Sequence, residues 1–435
     1  MAETPRRTFL AAALAILALT TAVGALATTS APLPTDDADA ATAARSAGVG
    51  DEPLAVLHDR GVTGENVSVG VVDVTGFDTD APALADRVRA ARAFGSRSVG
   101  AEPNDHGTAA ATVVARMAPE SSLYLAHVDD VDSYRRAVAW LRASGVDVVV
   151  APVSFYGQPG DGSGPVGDVA RRTVESGTVF VAPAGNLAAS HWHGTYDAAG
   201  TDDGTVLFAE GYRRTAIRGP TDVTLWLSWD RAHADEDYTA ELYWTNGTAS
   251  RLVARSQPYP GDDVPNERIV ADVSPGRYFV VIRGPADPTG AHLRLVSPTH
   301  EFQRARPRGS VVAPGTARRA LTIGAYDERT DRVEPFSSRG PTADGRTGVD
   351  VVAPDSQFAG LTESGFVGSS AAAPYVGAVA ALVLDADPSL SPAHVELLLE
   401  LSARDVGPVG VDTASGHGVV DPASAVAAAN DSATG

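Results

Sequence analysis

The feature that most constrains the fold is an alternation of apolar runs and helical segments, which stops after residue 194 and resumes at about residue 309. The run VSVGVVD at 67–73 is typical of a buried strand, and HGTAAATVVARM at 106–117 is typical of a helix. Strands and helices that alternate in this way predict a parallel sheet with helices on both faces. We therefore expect the α/β class.

The stretch between these two α/β parts has a different pattern. It contains short strand-like runs with no helix between them, such as VTLWLSWD at 223–230, and Asn246-Gly247 is a typical hairpin turn. This pattern predicts an antiparallel β-sandwich inserted into the α/β domain. The predicted organisation is a signal at 1–27, an acidic linker at 28–50, the first α/β part at 51–194, the inserted sandwich at 195–308, the second α/β part at 309–427 and a tail at 428–435.

The N-terminus has the features of an export signal. Arg6 and Arg7 precede an apolar stretch from Phe9 to Leu19, and the small residues ALA at 25–27 offer a cleavage site. This arrangement is typical of a twin-arginine signal, and an uncleaved membrane anchor is the alternative. No other segment is expected to be long and apolar enough to cross a membrane. We therefore expect an extracellular or cell-surface protein.

Charge and composition exclude some classes of function. The 435 residues carry a formal net charge of −20, and all 34 basic residues are arginines. Nucleic-acid binding is not expected, because contacts to phosphate need a positive face. The chain has no cysteine, which excludes disulfides and thiolate metal sites. Its acidic, lysine-free composition resembles that of halophilic proteins, although a GC-rich genome would also favour arginine codons.

Polar residues stand at the ends of several apolar elements. Asp73 ends a predicted strand, His106 starts a predicted helix, Ser369 and Ser370 open another helix, and Asn186 follows a strand. Sites in open parallel sheets form beyond the carboxyl ends of the strands, where these residues could converge. A serine becomes nucleophilic when a histidine takes its proton and a carboxylate orients that histidine. Taken singly, each residue is more typical of a cap or turn.

Together, these segments resemble the subtilisin-like serine peptidases. The catalytic residues of that family occur in the order Asp, His, Ser, which Asp73, His106 and Ser370 reproduce. The segments HGT at 106–108, APAGN at 182–186 and GSSAAAP at 368–374 resemble the family's histidine, oxyanion-asparagine and serine motifs. The resemblance covers roughly 51–194 and 309–427, and the fold it implies is a subtilisin-like parallel sheet.

The resemblance implies a role for each of these residues. Ser370 would be the nucleophile, His106 the general base and acid, and Asp73 the residue that orients His106. Asn186 and the backbone N–H of Ser370 would bind the oxyanion. Ser369 stands where the family has threonine and would be a supporting residue.

Two segments depart from the family pattern. Asp73 is followed by Val74 before Thr75 and Gly76, one residue more than usual, so that Thr75 becomes the candidate to bond the carboxylate. The family's substrate-binding strand usually ends in Ser-Leu-Gly. The matching candidates here are Ser154, Phe155, Tyr156 and Gly157. The two aromatic side chains either line the cleft or pack beneath it.

We therefore predict an exported serine endopeptidase that acts on proteins or peptides, most simply as a monomer. The alternatives are a catalytically silent surface-binding protein on the same scaffold, and a ligase or cyclase that transfers the acyl group to an amine. No cofactor is required for the chemistry. Acidic loops permit structural calcium without assigning ligands, and His191 and His193 in HWH are interpreted as surface residues, so no metal site is assigned.

Overall fold

The structure is a computed structural model that describes residues 51–100, 105–197, 204–260, 264–287, 289–363 and 365–434. The predicted signal at 1–27 and the linker at 28–50 lie outside the described residues. The helices are α1 (Asp51–Asp59), α2 (His106–Met117), α3 (Val131–Ala143), α4 (Pro165–Glu175), α5 (Ser369–Ala386), α6 (Pro392–Ser402) and α7 (Pro422–Thr434). The strands are β1 (Ser68–Asp73), β2 (Val88–Ala93), β3 (Ser122–His127), β4 (Val148–Val150), β5 (Val179–Pro183), β6 (His191–Thr195), β7 (Thr215–Arg218), β8 (Asp222–Trp229), β9 (Thr239–Thr245), β10 (Ser250–Arg255), β11 (Gln257–Pro258), β12 (Asn266–Asp272), β13 (Arg277–Arg283), β14 (His292–Val296), β15 (Glu301–Phe302), β16 (Leu321–Asp327), β17 (Arg332–Val333) and β18 (Val351–Pro354).

A sheet of eight strands forms the centre of the α/β domain. Seven strands follow the order β17-β16-β5-β4-β1-β3-β2, and β18 also pairs with β16. All pairs are parallel except β16 with β17. The central strands are buried on both faces, which explains their continuous apolar runs. The predicted α/β class with a parallel sheet is confirmed.

Helices cover both faces of this sheet. On one face α5 packs against α2 and against strands β5, β16 and β18. Contrary to the sequence-based expectation, α5 is long and apolar enough to cross a membrane, the one such helix among the described residues. It is apolar all round and mostly buried, so it is a core helix. On the other face α3 and α4 bury Val138, Leu141 and Val169. A capping box starts α3, because the side chain of Asp130 accepts a hydrogen bond from the backbone N–H of Ser133.

The inserted region forms two antiparallel sheets of five strands each, as predicted for a sandwich. Their orders are β10-β9-β13-β7-β15 and β11-β12-β8-β14-β6. Both sheets contribute to one apolar core that includes Trp192, Leu227 and Leu242. The first strand of the insert, β6, spans the predicted boundary at residue 195. It also corrects the interpretation of HWH as surface residues, because His191 is buried and only His193 is exposed.

Several elements are absent from the sequence-based prediction. β2 was missed because its VRAARA sequence is only partly buried at the edge of the sheet. α7 runs through most of the predicted tail at 428–435 and begins in the second α/β part, and its alanine-rich sequence carries a weak amphipathic signal. The strand predicted over 146–154 is shorter in the structure and covers only Val148–Val150. The missed elements have short or weakly apolar sequences, in which the hydrophobic periodicity is faint.

Candidate active site

Asp73 ends β1 and is completely buried at the carboxyl edge of the sheet. Its Oδ2 atom lies 2.7 Å from Nδ1 of His106. Its Oδ1 atom accepts hydrogen bonds of 2.9 Å from both the backbone N–H and the hydroxyl of Thr75. Thr75 therefore supplies the local bond to the carboxylate in spite of the extra residue Val74.

His106 is the first residue of α2, and the packing of this helix end against the Asp73 loop fixes the ring. The Thr75 hydroxyl oxygen accepts a hydrogen bond of 2.9 Å from the Gly107 backbone N–H. A side chain at position 107 would lie 2.3 Å from the Gly76 carbonyl oxygen, so only glycine fits there. The ring of Phe366 meets the His106 ring edge-on at 5.1 Å. With Nδ1 donating to Asp73, Nε2 is the nitrogen left to act as a base.

Ser369 and Ser370 are the first two residues of α5, and only Ser369 is fully buried. The backbone N–H and the hydroxyl of Ser369 both donate to Oδ1 of Asn186, each at 3.0 Å. The Ser369 hydroxyl also accepts a bond of 3.0 Å from the Gly185 backbone N–H. These bonds fix the Asn186 amide with its oxygen towards the helix, which leaves its NH₂ group as an exposed donor. Gly368 has a φ of 105°, and a side chain there would collide with this amide at 2.4 Å.

The structure brings four candidate residues to the carboxyl ends of the central strands, namely Asp73, His106, Asn186 and Ser370. Phe366, three residues before Ser369, touches the His106 ring, which places the starts of α2 and α5 side by side. The described contacts contain no hydrogen bond between Ser370 Oγ and His106 Nε2. In ligand-free enzymes such bonds are often long and tighten when substrate binds.

The candidate substrate-binding segment, residues 154–157, is partly buried inside the protein. Phe155 is buried with its ring 4.8 Å from that of Tyr134, so it packs beneath the cleft instead of lining it. The Phe155 backbone N–H donates to the Ala313 carbonyl at 2.8 Å. Burial raises the pKa of Tyr156 to about 12, in opposition to a hydrogen bond from the buried Ser154. These residues therefore shape the floor of the segment.

Residues of the insert complete this region, which the motifs did not reveal. Trp226 of β8 packs against Gly157, where a side chain would lie 2.7 Å from its ring. Asn266 of β12 donates to the Gly157 carbonyl at 3.2 Å. The apolar contact continues through Leu187, one residue after Asn186. The sandwich therefore packs directly on both segments that flank the candidate cleft.

Asp355 is a second buried carboxyl group that the motifs did not indicate. It accepts a hydrogen bond of 2.9 Å from the Gly368 backbone N–H, directly before the serine pair. Burial, reinforced by the charge of Glu334, raises its pKa to about 7. Its other oxygen has no hydrogen-bond partner among the described residues. Asp355 thus holds the turn from which α5 begins.

Three carboxyl groups form a separate acidic cluster that could hold a metal ion. Ligand oxygens of Asp350, Glu396 and Glu400 lie within 4.8 Å of one another. Burial raises the pKa of Asp350 and of Glu396 to about 7 each, and the neighbouring carboxylates add to the effect. Carboxylate oxygens are the donors that hard cations such as Ca²⁺ prefer. The residues present therefore fit a structural cation.

Comparison with known proteins finds a family match over part of the chain. Residues 303–418 match the model of the Subtilase family. We call residues 303–418 the subtilase segment because they match this family model. This subtilase segment includes Ser370, whereas Asp73, His106 and Asn186 lie outside it.

Relatives and solved structures extend the likeness. The serine protease AprX of Bacillus subtilis (strain 168) is 33% identical over 115 residues, which cover 21% of this chain and 26% of AprX. The match thus spans about a quarter of that relative. The Clostridium perfringens CspB protease aligns with a TM-score of 0.61 at 17% identity, over 88% of this chain and 98% of that chain. At 17% identity this likeness shows the fold alone. The fold is that of the subtilisin-like proteases, and it includes the subtilase segment.

Proposed function

We propose that the protein is a serine endopeptidase that hydrolyses peptide bonds through Ser370, His106 and Asp73. The observation that carries the proposal is the 2.7 Å contact between His106 Nδ1 and Asp73 Oδ2, next to a serine at the start of α5. The subtilase segment and the protease-like fold support it. The substrates would be proteins or peptides.

In the first half of the reaction, His106 Nε2 takes the proton of Ser370 as the serine oxygen attacks the peptide carbonyl. Asp73 keeps the His106 proton on Nδ1 and stabilises the imidazolium that forms. The developing oxyanion accepts hydrogen bonds from the Asn186 NH₂ group and the Ser370 backbone N–H, which is unpaired at the start of a helix. His106 then gives its proton to the leaving amine, and the acyl-enzyme remains on Ser370.

In the second half, a water molecule gives a proton to His106 and attacks the acyl carbon. The tetrahedral intermediate uses the same oxyanion donors. It then collapses to release the carboxylic acid, and the proton on His106 returns to the Ser370 oxygen. If an amine replaced water in this step, the product would be a new peptide bond, which is the ligase alternative.

A fluorophosphonate probe tests the proposal, because it reacts with an activated serine. We expect labelling of the folded wild type and of Ser369→Ala, and no labelling of Ser370→Ala. Circular dichroism checks that each variant is folded. Folded wild type that resists the probe would favour the silent surface-binding alternative, and labelling of Ser370→Ala would move the nucleophile to another residue. Mass analysis of a model peptide incubated with an added amine separates hydrolysis from transfer.

We further propose that the protein is exported and adapted to high salt. The support is the Arg6-Arg7 signal pattern and the net charge of −20 without lysine. Arg6→Lys together with Arg7→Lys should hold the protein inside a host that has twin-arginine export, and an unchanged secreted fraction would contradict the signal. Loss of structure as KCl is removed, followed by circular dichroism, tests the adaptation to salt.

We also propose that Asp350, Glu396 and Glu400 hold a structural cation such as Ca²⁺. A bound cation would compensate their negative charges, and no step of the peptidase chemistry passes through it. We expect Ca²⁺ to raise the melting temperature of the wild type and to have little effect on Glu396→Gln. Equal Ca²⁺ effects on both proteins would exclude this cluster as the site.

A further inference from the structure

A large cavity lies where the insert meets the α/β domain. Its volume is about 610 Å³, within the range of small-molecule sites. One wall consists of residues from β6, β8 and β14 of the insert, and the other of loop residues 159–163, 308–309 and 341–344. We call it the junction cavity. None of the four proposed catalytic positions lines it.

Arg294 of β14 is a buried cation in the wall of the junction cavity. Its Nη2 atom donates to the carbonyl oxygen of Val311 at 2.7 Å and to that of Ser310 at 3.4 Å. Its Nε and Nη1 atoms are buried without a hydrogen-bond partner among the described residues. Burial lowers the pKa of Arg294 to about 10, so the side chain is still charged at neutral pH. A buried charge without a counter-charge is unfavourable, which points to a missing anion.

Two histidines, His191 and His193, line the junction cavity beside Arg294. His191 is buried, stacks on His193 with ring centres 5.4 Å apart, and has an Nε2 atom without a partner among the described residues. Its Nδ1 atom bonds the Arg306 carbonyl at 2.7 Å. Burial and the charge of Arg294 hold the pKa of His191 well below its usual range, and burial and Arg306 lower that of His193. Both histidines are therefore neutral beside an unpaired arginine.

The remaining charges of the cavity leave Arg294 uncompensated. Arg231, His292 and Arg308 add exposed basic groups to the lining. Three acidic residues also line it, and each is bonded elsewhere. Asp161 accepts from Ser163 N–H, Asp230 accepts from His292 N–H, and Asp344 pairs with Arg318 and Arg346. The lining thus holds as many arginines as aspartates, but no carboxylate of the described residues forms an ion pair with the buried Arg294.

We propose that the junction cavity binds a small oxyanion, a molecule carrying carboxylate or phosphate groups, with Arg294 as its buried anchor. An anion oxygen there would accept the free N–H groups of Arg294, and Arg308 would attract it from the exposed side. Because the cavity walls belong to both parts of the fold, a bound anion would tie the insert to the loop 159–163. That loop follows the candidate substrate segment directly.

Thermal unfolding of the full chain at constant ionic strength tests this site. Citrate and inorganic phosphate are titrated separately against KCl, with wild type, Arg294→Met and the control Arg251→Met, an exposed arginine of β10. We expect saturable stabilisation of the wild type, of about 3 °C at a concentration 100-fold above Kd. Arg251→Met should respond equally, and Arg294→Met should not respond. The anion with the lower Kd identifies the preferred group.

Two results would overturn the proposal. One is an equal rise in melting temperature for wild type and Arg294→Met, and the other is a rise that chloride reproduces at the same ionic strength. If Arg294→Met does not fold, Arg308→Gln replaces it, because this exposed residue carries no folding risk. The Kd for the better anion should then rise severalfold, and an unchanged Kd would equally contradict the site.

Discussion

The Asp73–His106 pair and the Arg294–His191 group are both buried, but their polar atoms are satisfied to different degrees. Both oxygens of Asp73 accept hydrogen bonds from within the protein, one from His106 and the other from Thr75. Arg294 keeps two nitrogens without partners among the described residues, and His191 keeps one. The polar atoms of Asp73 are thus satisfied within the protein, whereas Arg294 has N–H groups that can still bind a ligand.

The difference shows how burial serves two purposes in one chain. At the carboxyl ends of the strands, burial and internal hydrogen bonds fix the geometry of the Asp73–His106 pair, the proposed proton relay. In the junction cavity, burial leaves a charge whose compensation must come from outside the protein. Substitutions in the two regions should therefore affect different measurements, and the following predictions test this separation.

The largest effect should follow Ser370→Ala at the sheet edge. We expect a loss of at least about 10,000-fold in kcat/KM, because the acyl-enzyme cannot form. Ser369→Ala should lose only about 10-fold, through poorer positioning of Asn186. Peptide hydrolysis assays measure both variants. If Ser369→Ala were the inactive one, the serine motif would be misaligned by one residue.

Asn186→Ala should have the next largest effect. Removal of one oxyanion donor costs about 100- to 1,000-fold in kcat in subtilisin, and we expect a loss in that range with KM nearly unchanged. Asn246→Ala, on an exposed turn of the insert, is the matched control and should keep full activity. A rise in KM with constant kcat would assign Asn186 to substrate binding instead.

Arg294→Met should separate the two regions directly. We expect its kcat/KM on a short peptide to stay within about threefold of the wild type, because none of the proposed catalytic residues lines the junction cavity. Without added oxyanion its melting temperature should equal or exceed that of the wild type, since an unpaired buried charge is removed. A large loss of peptidase activity in folded Arg294→Met would show that the regions are coupled.

The smallest effect concerns the acidic cluster of Asp350, Glu396 and Glu400. Glu396 has a folded-state pKa of about 7, above its usual 4.5, so folding retains a proton that the unfolded chain releases. Its contribution to stability is therefore lost as pH rises from about 4.5 to 7. In EDTA, the melting temperature of the wild type should fall over this pH range by about 1–3 °C more than that of Glu396→Gln.

The exposed Glu363→Gln variant is the control for this measurement and should follow the wild type. An identical pH dependence for Glu396→Gln and wild type would mean that Glu396 titrates normally in the folded protein. Addition of Ca²⁺ should reduce the difference between the two proteins, because a bound cation favours the ionised carboxylates.

Much of the α/β domain could be predicted from the sequence because its patterns are local. The helix over 106–117 was predicted with the bounds that the structure has, since an apolar helical run follows a polar start. The motifs placed Asp73, His106 and Ser370 in order, and the structure brings the first two to 2.7 Å. Their catalytic roles are still predictions.

The sequence by itself determined the alternation of strands and helices, the inserted strands and the residue types for serine chemistry. Only the tertiary structure decided that Thr75 bonds Asp73, that Phe155 is buried and that Trp226 packs on Gly157. It alone left two nitrogens of Arg294 without partners among the described residues, in a cavity lined by loops from elsewhere in the chain. The physical reason is that hydrophobic patterns and motifs act over neighbouring residues. Burial and the pairing of charges, in contrast, depend on which distant segments pack together.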